Sequence, residues 1–161
     1  MRALVVTVST RAAAGVYPDR SGPVIVESLV GLGFEVDGPR VVPDGSGVES
    51  VLSSAVHEGY DVVLTTGGTG LSPTDVTPEH TLAIIRREVP GIADAVRLAG
   101  LNAGIPTAAL SRGVAGIAGS TLIVNLPGSP GGVRDGLRVL GPLLVHAVEQ
   151  INGGGDHGVT S

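Results

Sequence analysis

Residues Thr65-Thr-Gly-Gly-Thr-Gly70 close an apolar stretch with three hydroxyls and three glycines, and Leu71-Ser-Pro-Thr-Asp-Val-Thr-Pro78 follows. Glycine lets the backbone turn successive N–H groups towards one point, which makes a nest for an anion, and hydroxyls add donors without bulk. A helix start just beyond the run adds positive dipole. The chemistry that suits is the binding of a phosphate or polyphosphate. A tight turn that merely needs positive φ would use the same glycines.

Two aspartates stand near such turns. Asp75 lies at the far end of the glycine run, where a carboxylate sits badly beside a phosphate unless a cation lies between them. Mg²⁺ held by one or two carboxylates and substrate phosphates is the common solution. An Asx turn, in which Asp75 bonds neighbouring N–H groups, is equally open. Asp44, in Val42-Pro-Asp-Gly45, is ordinary turn chemistry taken alone. A third turn, Asn125-Leu-Pro-Gly-Ser-Pro130, offers Ser129 either as an anion donor or as a plain helix cap before Pro130. The polar stretch from Ser9 to Gly22 reads as a lid, a nucleotide-contacting loop or a surface excursion.

These turns need a frame. Ala3–Val8, Phe34–Val42, Asp61–Thr66, Pro106–Ser111 and Thr121–Leu126 read as strands, several of them continuously apolar as if buried on both faces. Helical spacing follows in 22–32, where Ile25, Leu29 and Leu32 share a face, and in 48–56. Thr77 and Pro78 read as N-cap and first residue of a helix running to Glu88, ahead of a second helix carrying Ile92, Val96, Ala99 and Ala103. Ser129-Pro130 opens another with Val133, Leu137 and Leu140, and Pro142 starts a last one. Strands alternating with amphipathic helices predict an α/β, three-layer single domain with a mostly parallel central sheet and helices on both faces. Residues 1–152 form that domain and 153–161 a flexible polar tail. In such sheets ligands bind outside the carboxyl ends of the strands. Parallel strands would bring Asp44 and Asp75 to the same edge.

Composition removes much else. The 161 residues contain no cysteine, and all ten basic residues are arginine. Thiol nucleophiles, thiolate metal sites, the Walker lysine and Schiff-base chemistry are therefore excluded. Net charge is −5, without a basic block, and the aromatics are Tyr17, Phe34 and Tyr60 alone. No nucleic-acid partner is expected from that balance. No apolar run approaches the roughly 18 residues of a membrane span, and the start of the chain lacks a signal-peptide pattern, so a cytoplasmic location is expected. Gly153-x-Gly155-x-x-Gly158 fits a dinucleotide fingerprint by letters only, since no strand precedes it. The four histidines show no metal spacing.

Taken together, Thr-Thr-Gly-Gly-Thr-Gly, Asp-Val-Thr-Pro, Leu-Ser-Arg and Gly-Ser-Thr-Leu-Ile-Val-Asn-Leu-Pro-Gly-Ser-Pro resemble the MoaB/Mog family of molybdenum-cofactor biosynthesis proteins, most of all its molybdopterin adenylyltransferase branch. The resemblance spans nearly the whole chain and implies a molybdopterin-binding-like fold assembled as a homotrimer. It implies transfer of AMP from ATP to the terminal phosphate of molybdopterin, with Mg²⁺ and release of pyrophosphate, ahead of hand-over to a molybdate-inserting enzyme. The family's important carboxylates fall on Asp44 and Asp75, as catalytic residues and Mg²⁺ ligands. Thr65, Thr66, Gly67, Gly68, Thr69, Gly70, Ser111 and Pro127, Gly128, Ser129, Pro130 fall on its pterin- and nucleotide-binding surface. Backbone nests, Mg²⁺ on Asp44 and Asp75, and an arginine such as Arg112 are the groups expected to supply alignment and charge neutralisation without lysine or cysteine. Two other readings remain beside the enzyme: a non-catalytic pterin carrier or scaffold of the same pathway, and another phosphate-ester enzyme on a similar sheet.

Overall fold

The computed structural model describes residues 1–154. The strands are β1 (Arg2–Val8), β2 (Glu35–Val42), β3 (Val62–Thr66), β4 (Arg87–Glu88), β5 (Ala115–Ala118) and β6 (Thr121–Leu126). They form one sheet in the order β2-β1-β3-β6-β5-β4. The first four in that order are parallel, and β5 and β4 are antiparallel additions at one edge. The helices are α1 (Thr10–Ala13), α2 (Gly22–Gly31), α3 (Ser46–His57), α4 (Thr77–Ile84), α5 (Pro90–Asn102) and α6 (Pro130–Ile151).

The apolar strands are continuous because both faces are covered. Along β1, Ala3 and Val5 face α2, α5 and α6, whereas Leu4, Val6 and Val8 face α3. The same alternation runs through β3 and β6: Val62, Leu64, Leu122, Val124 and Leu126 join the first core, Val63 and Ile123 the second. This is the three-layer α/β arrangement expected from the alternation of elements.

Register decides where the turns emerge. Val8 pairs with Val42, Thr7 with Thr66, and Thr66 with Leu126. The four parallel strands therefore end at one rim, and the segments beginning at Ser9, Pro43, Gly67 and Pro127 leave from it side by side.

Several local expectations are corrected. Pro106–Leu110 is a 3-10 turn rather than a strand. It lies against α5, where Gly100 is buried and a Cβ there would stand 2.5 Å from that of Ala108. Gly100 thus takes the inward place, while Ala103 is exposed. The helix from Thr77 stops at Ile84, because Arg87–Glu88 pairs with β5 as an edge strand. Its N-cap is Val76, and Thr77 is already helical, making no side-chain cap bond. The two C-terminal helices are one 22-residue helix that passes through Pro142. Val133, Leu137, Leu140, Leu144 and Val148 form one unbroken buried stripe along it. That burial outweighs a proline cost of about 3 kcal/mol. Of the tail expected from 153, all but Gly153 and Gly154 lies outside the described residues.

Candidate active site at the strand rim

The first wall is built by the turn after β1. The Ser9 hydroxyl caps α1 by accepting from the Ala12 N–H at 3.2 Å. This leaves Thr10 facing the turn after β2, where its N–H and hydroxyl donate to Asp44 Oδ2 at 3.3 and 2.7 Å. The Asp44 N–H donates back to the Thr10 hydroxyl at 3.2 Å. Two turns from different strands are locked together by one carboxylate.

The stretch leading to α2 is pinned as well. Asp19 accepts from the Ser21 and Gly22 N–H groups, each at 3.0 Å, and from the Thr7 hydroxyl at 2.7 Å. The Ser21 hydroxyl donates to the Gly128 carbonyl at 2.8 Å. Residues 9–22 therefore form a one-turn helix and an anchored bend lining the rim, with Arg11 and Arg20 exposed at its mouth.

The glycine run occupies the centre. Gly67 has φ +94°, and a Cβ there would lie 2.2 Å from the Val8 carbonyl oxygen, so only glycine lets β3 turn beside β1. Gly68 has φ +66°, and a Cβ there would meet Thr77 Oγ1 at 2.2 Å and Asp44 Oδ1 at 3.0 Å. At Gly70 a Cβ would stand 2.8 Å from Asp75 Oδ2. The missing side chains are thus the places where both carboxylates come up against the backbone. Asp75 also closes its own turn, its Oδ2 accepting from the Ser72 N–H at 3.0 Å.

Two cavities open on this rim. One of about 940 Å³ is lined by Thr10, Asp44, Thr66, Gly67 and Asp75 among others, with Pro130 on its far side. The other, about 450 Å³, lies between the turn and α5, lined by Thr69, Gly70, Ser111, Pro127 and Ser129 together with Val96, Ile105 and Leu110. Gly68, Asp75 and Gly128 border both. Two ligands seated in them would meet at that shared wall.

Not every expected residue reaches the cavities. Thr65 is fully buried and its hydroxyl accepts from Asn125 Nδ2 at 2.9 Å, so its side chain ties β3 to β6. Thr66 donates to the Pro127 carbonyl at 2.6 Å and so joins the second and third turns. Ser129 caps α6 by accepting from the Gly132 N–H at 3.1 Å, and also lines the smaller cavity. The Arg112 guanidinium pairs with Glu79 and donates to the carbonyls of Gly70 and Asp75. That pair holds the Glu79 carboxyl below the usual carboxylate range and pushes Arg112 above its ordinary value, the shared hydrogen bond being the main cause of each.

Thr10, Asp19 and Glu79 carry the site's geometry without having been singled out by sequence. Pro18-Asp-Arg-Ser-Gly22 was the available signal for Asp19. For Thr77 the sequence signal misleads, since a threonine before proline resembles a cap. Among the described residues Thr77 Oγ1 is the buried side-chain polar atom with no hydrogen-bond partner. Among those same residues, no three histidine, aspartate or glutamate side chains converge as a metal centre.

Comparison with known proteins gives this geometry a setting. The family described as Probable molybdopterin binding domain matches residues 4–146. The molybdopterin adenylyltransferase of Escherichia coli K12 is 39% identical over 157 residues, covering 92% of this chain and 80% of that protein. The gephyrin of Dictyostelium discoideum is 37% identical across 92% of this chain, which spans only 22% of gephyrin's length. The structure of the molybdopterin biosynthesis Mog protein from Mycobacterium ulcerans superposes with a TM-score of 0.89 at 52% identity, covering 94% of this chain and 97% of that one.

Proposed function

The chain belongs to the molybdopterin-binding domain family of the MoaB/Mog proteins of molybdenum-cofactor biosynthesis, and from that premise we propose that it is a molybdopterin adenylyltransferase. The observation that carries this reading is that Asp44 stands beside Gly68 and Asp75 beside Gly70, both lining the larger cavity, with Asp75 also on the wall shared with the smaller one.

The larger cavity, with its hydroxyls and the exposed Arg11 and Arg20, suits a triphosphate. The smaller, with Val96, Ile105 and Leu110 beside Ser111, suits the flat pterin. At the shared wall an oxygen of the pterin's terminal phosphate attacks the α-phosphorus of ATP. A P–O bond forms there, the bond to the β-phosphate oxygen breaks, and pyrophosphate leaves with the electron pair. The chemistry needs alignment and charge neutralisation rather than a covalent nucleophile, which agrees with a chain lacking cysteine and lysine. Backbone N–H groups of the glycine turn and the start of α6 supply donors to the phosphates.

Mg²⁺ fits the residues present. Asp44 Oδ1 and the unpartnered Thr77 Oγ1 approach the same point beside Gly68, and Asp75 Oδ2 stands beside Gly70. These are hard oxygen donors, and a magnesium site with few protein ligands draws the rest from phosphates and water. Asp44 and Asp75 would hold the ion, which when bound supplies positive charge to the phosphate oxygens.

A homotrimer belongs to the same reading, supported by Leu98, Leu101, Ile105 and Leu110 exposed along α5 and the following turn. So do a cytoplasmic location and hand-over of the product to a molybdate-inserting enzyme. Among the described residues no helix is long and apolar enough to cross a membrane. Incubation with ATP, Mg²⁺ and molybdopterin is expected to yield adenylylated pterin and pyrophosphate, and Asp75→Asn to remove nearly all product. Pterin binding without any product would favour the carrier reading instead.

A further inference from the structure

Arg112 is bonded to the glycine turn at three points. Its Nε donates to the Gly70 carbonyl at 2.9 Å and its Nη2 to the Asp75 carbonyl at 2.5 Å. Its backbone N–H donates to the Thr69 carbonyl at 2.8 Å. Glu79, in the first turn of α4, takes the remaining face of the guanidinium. Gly70 and Asp75 are the two ends of an excursion whose intervening residues, Leu71 to Thr74, are all exposed. One planar group therefore pinches the neck of an otherwise solvent-facing loop. The segment bearing Arg112 is itself held, since Arg97 Nη1 donates to the carbonyls of Ser111 and Gly113 at 3.2 and 2.9 Å.

We propose that Arg112, oriented by Glu79, is the positioning residue that sets the Asp75 carboxylate for adenylyl transfer. The inference rests on the adenylyltransferase reading for what Asp75 does, and on the geometry alone for what holds it. The guanidinium fork is essential, because an ammonium has no rigid plane with which to reach two carbonyls and a carboxylate together. Misplacing a reacting group by about 1 Å costs about a hundredfold in rate.

The test compares the full chain with Arg112→Ala, Arg112→Lys and Glu79→Gln by amide hydrogen exchange and steady-state kinetics. Arg112→Ala is expected to speed exchange over residues 70–76 while β1, β3 and β6 keep their protection. Its kcat should fall by about a hundredfold with KM for ATP little changed. Arg112→Lys should recover little of the loss. Millimolar guanidinium should restore part of the kcat of Arg112→Ala, and urea at the same concentration should not. Glu79→Gln should shift both readouts the same way by less, and it carries the test if Arg112→Ala fails to fold. Unchanged exchange over 70–76 in the variants, or wild-type kcat in Arg112→Lys, overturns the proposal. Should the wild-type chain make no adenylylated pterin, the functional reading fails, while the exchange measurement still decides the clasp.

Discussion

Replacing Thr77 by valine should stabilise the ligand-free protein. Thr77 is fully buried, and its hydroxyl has no partner among the described residues. Its backbone is otherwise satisfied, the N–H donating to the Gly68 carbonyl at 3.1 Å and the carbonyl accepting from the Thr81 hydroxyl at 2.8 Å. Valine keeps the branched shape and both backbone bonds and puts a methyl group in place of the stranded oxygen. A buried polar group left without a bond costs about 1–3 kcal/mol. For a chain of this size each 1 kcal/mol moves Tm by roughly 2–4 °C, so the variant should melt about 2–12 °C higher. Thermal and urea unfolding without ligands measure this directly. The same variant should adenylylate pterin more slowly, because the oxygen stands beside Gly68 and Asp44 where the phosphates and their cation are placed. Gain of stability with loss of activity is the signature of a group left unpaired for its ligand. A lower Tm for Thr77→Val would refute the reasoning, since it would mean that the hydroxyl is already bonded.

Three further outcomes are expected. Gly67→Ala should destabilise by several kcal/mol, because the new Cβ meets the Val8 carbonyl at 2.2 Å, whereas Gly45→Ala, with open space around it, should cost only the about 1–3 kcal/mol of its backbone conformation, φ +117° and ψ −156°; paired urea titrations compare them. The folded-state pKa of Glu79 lies below its unfolded value, so its contribution is full at neutral pH and is lost as pH falls through the folded value, below about 4.3. The acid limb of a pH–Tm profile should accordingly flatten in Glu79→Gln. Tyr60 is raised above its ordinary value, first by its hydrogen bond to Asp37 and then by burial. Its contribution is present below about pH 10 and lost as pH rises through the raised value, so Tyr60→Phe should be less stable at neutral pH and lack that alkaline loss in urea midpoints.

The rim was legible in the sequence because it follows from chain direction. Once Ala3–Val8, Phe34–Val42, Asp61–Thr66 and Thr121–Leu126 are read as parallel strands, the turns carrying Asp44, Gly67–Gly70 and Pro127–Pro130 must leave from one edge. Glycine at 67 and 68 was legible for the same reason, as a turn that needs close approach. What stayed hidden depends on contacts distant in sequence. Arg112 and Glu79 are 33 residues apart, and nothing local to either says that the two side chains pair. Thr65 and Thr66 look alike in the sequence, yet strand alternation buries one hydroxyl against Asn125 and points the other at Pro127. Pro106–Leu110 packs as a turn against α5, where the missing side chain of Gly100 leaves room for Ala108, a contact that the local sequence does not reveal. Pro142 reads as a helix start, and the continuous buried stripe on either side of it overrides that signal.

Crystals grown with Mn²⁺ and a non-hydrolysable ATP analogue offer the most direct trial of the account. Anomalous density for manganese is expected beside the carboxylates of both Asp44 and Asp75, with the phosphates against the N–H groups of Gly67–Gly70. Manganese bound elsewhere, or phosphates seated away from that turn, would contradict it.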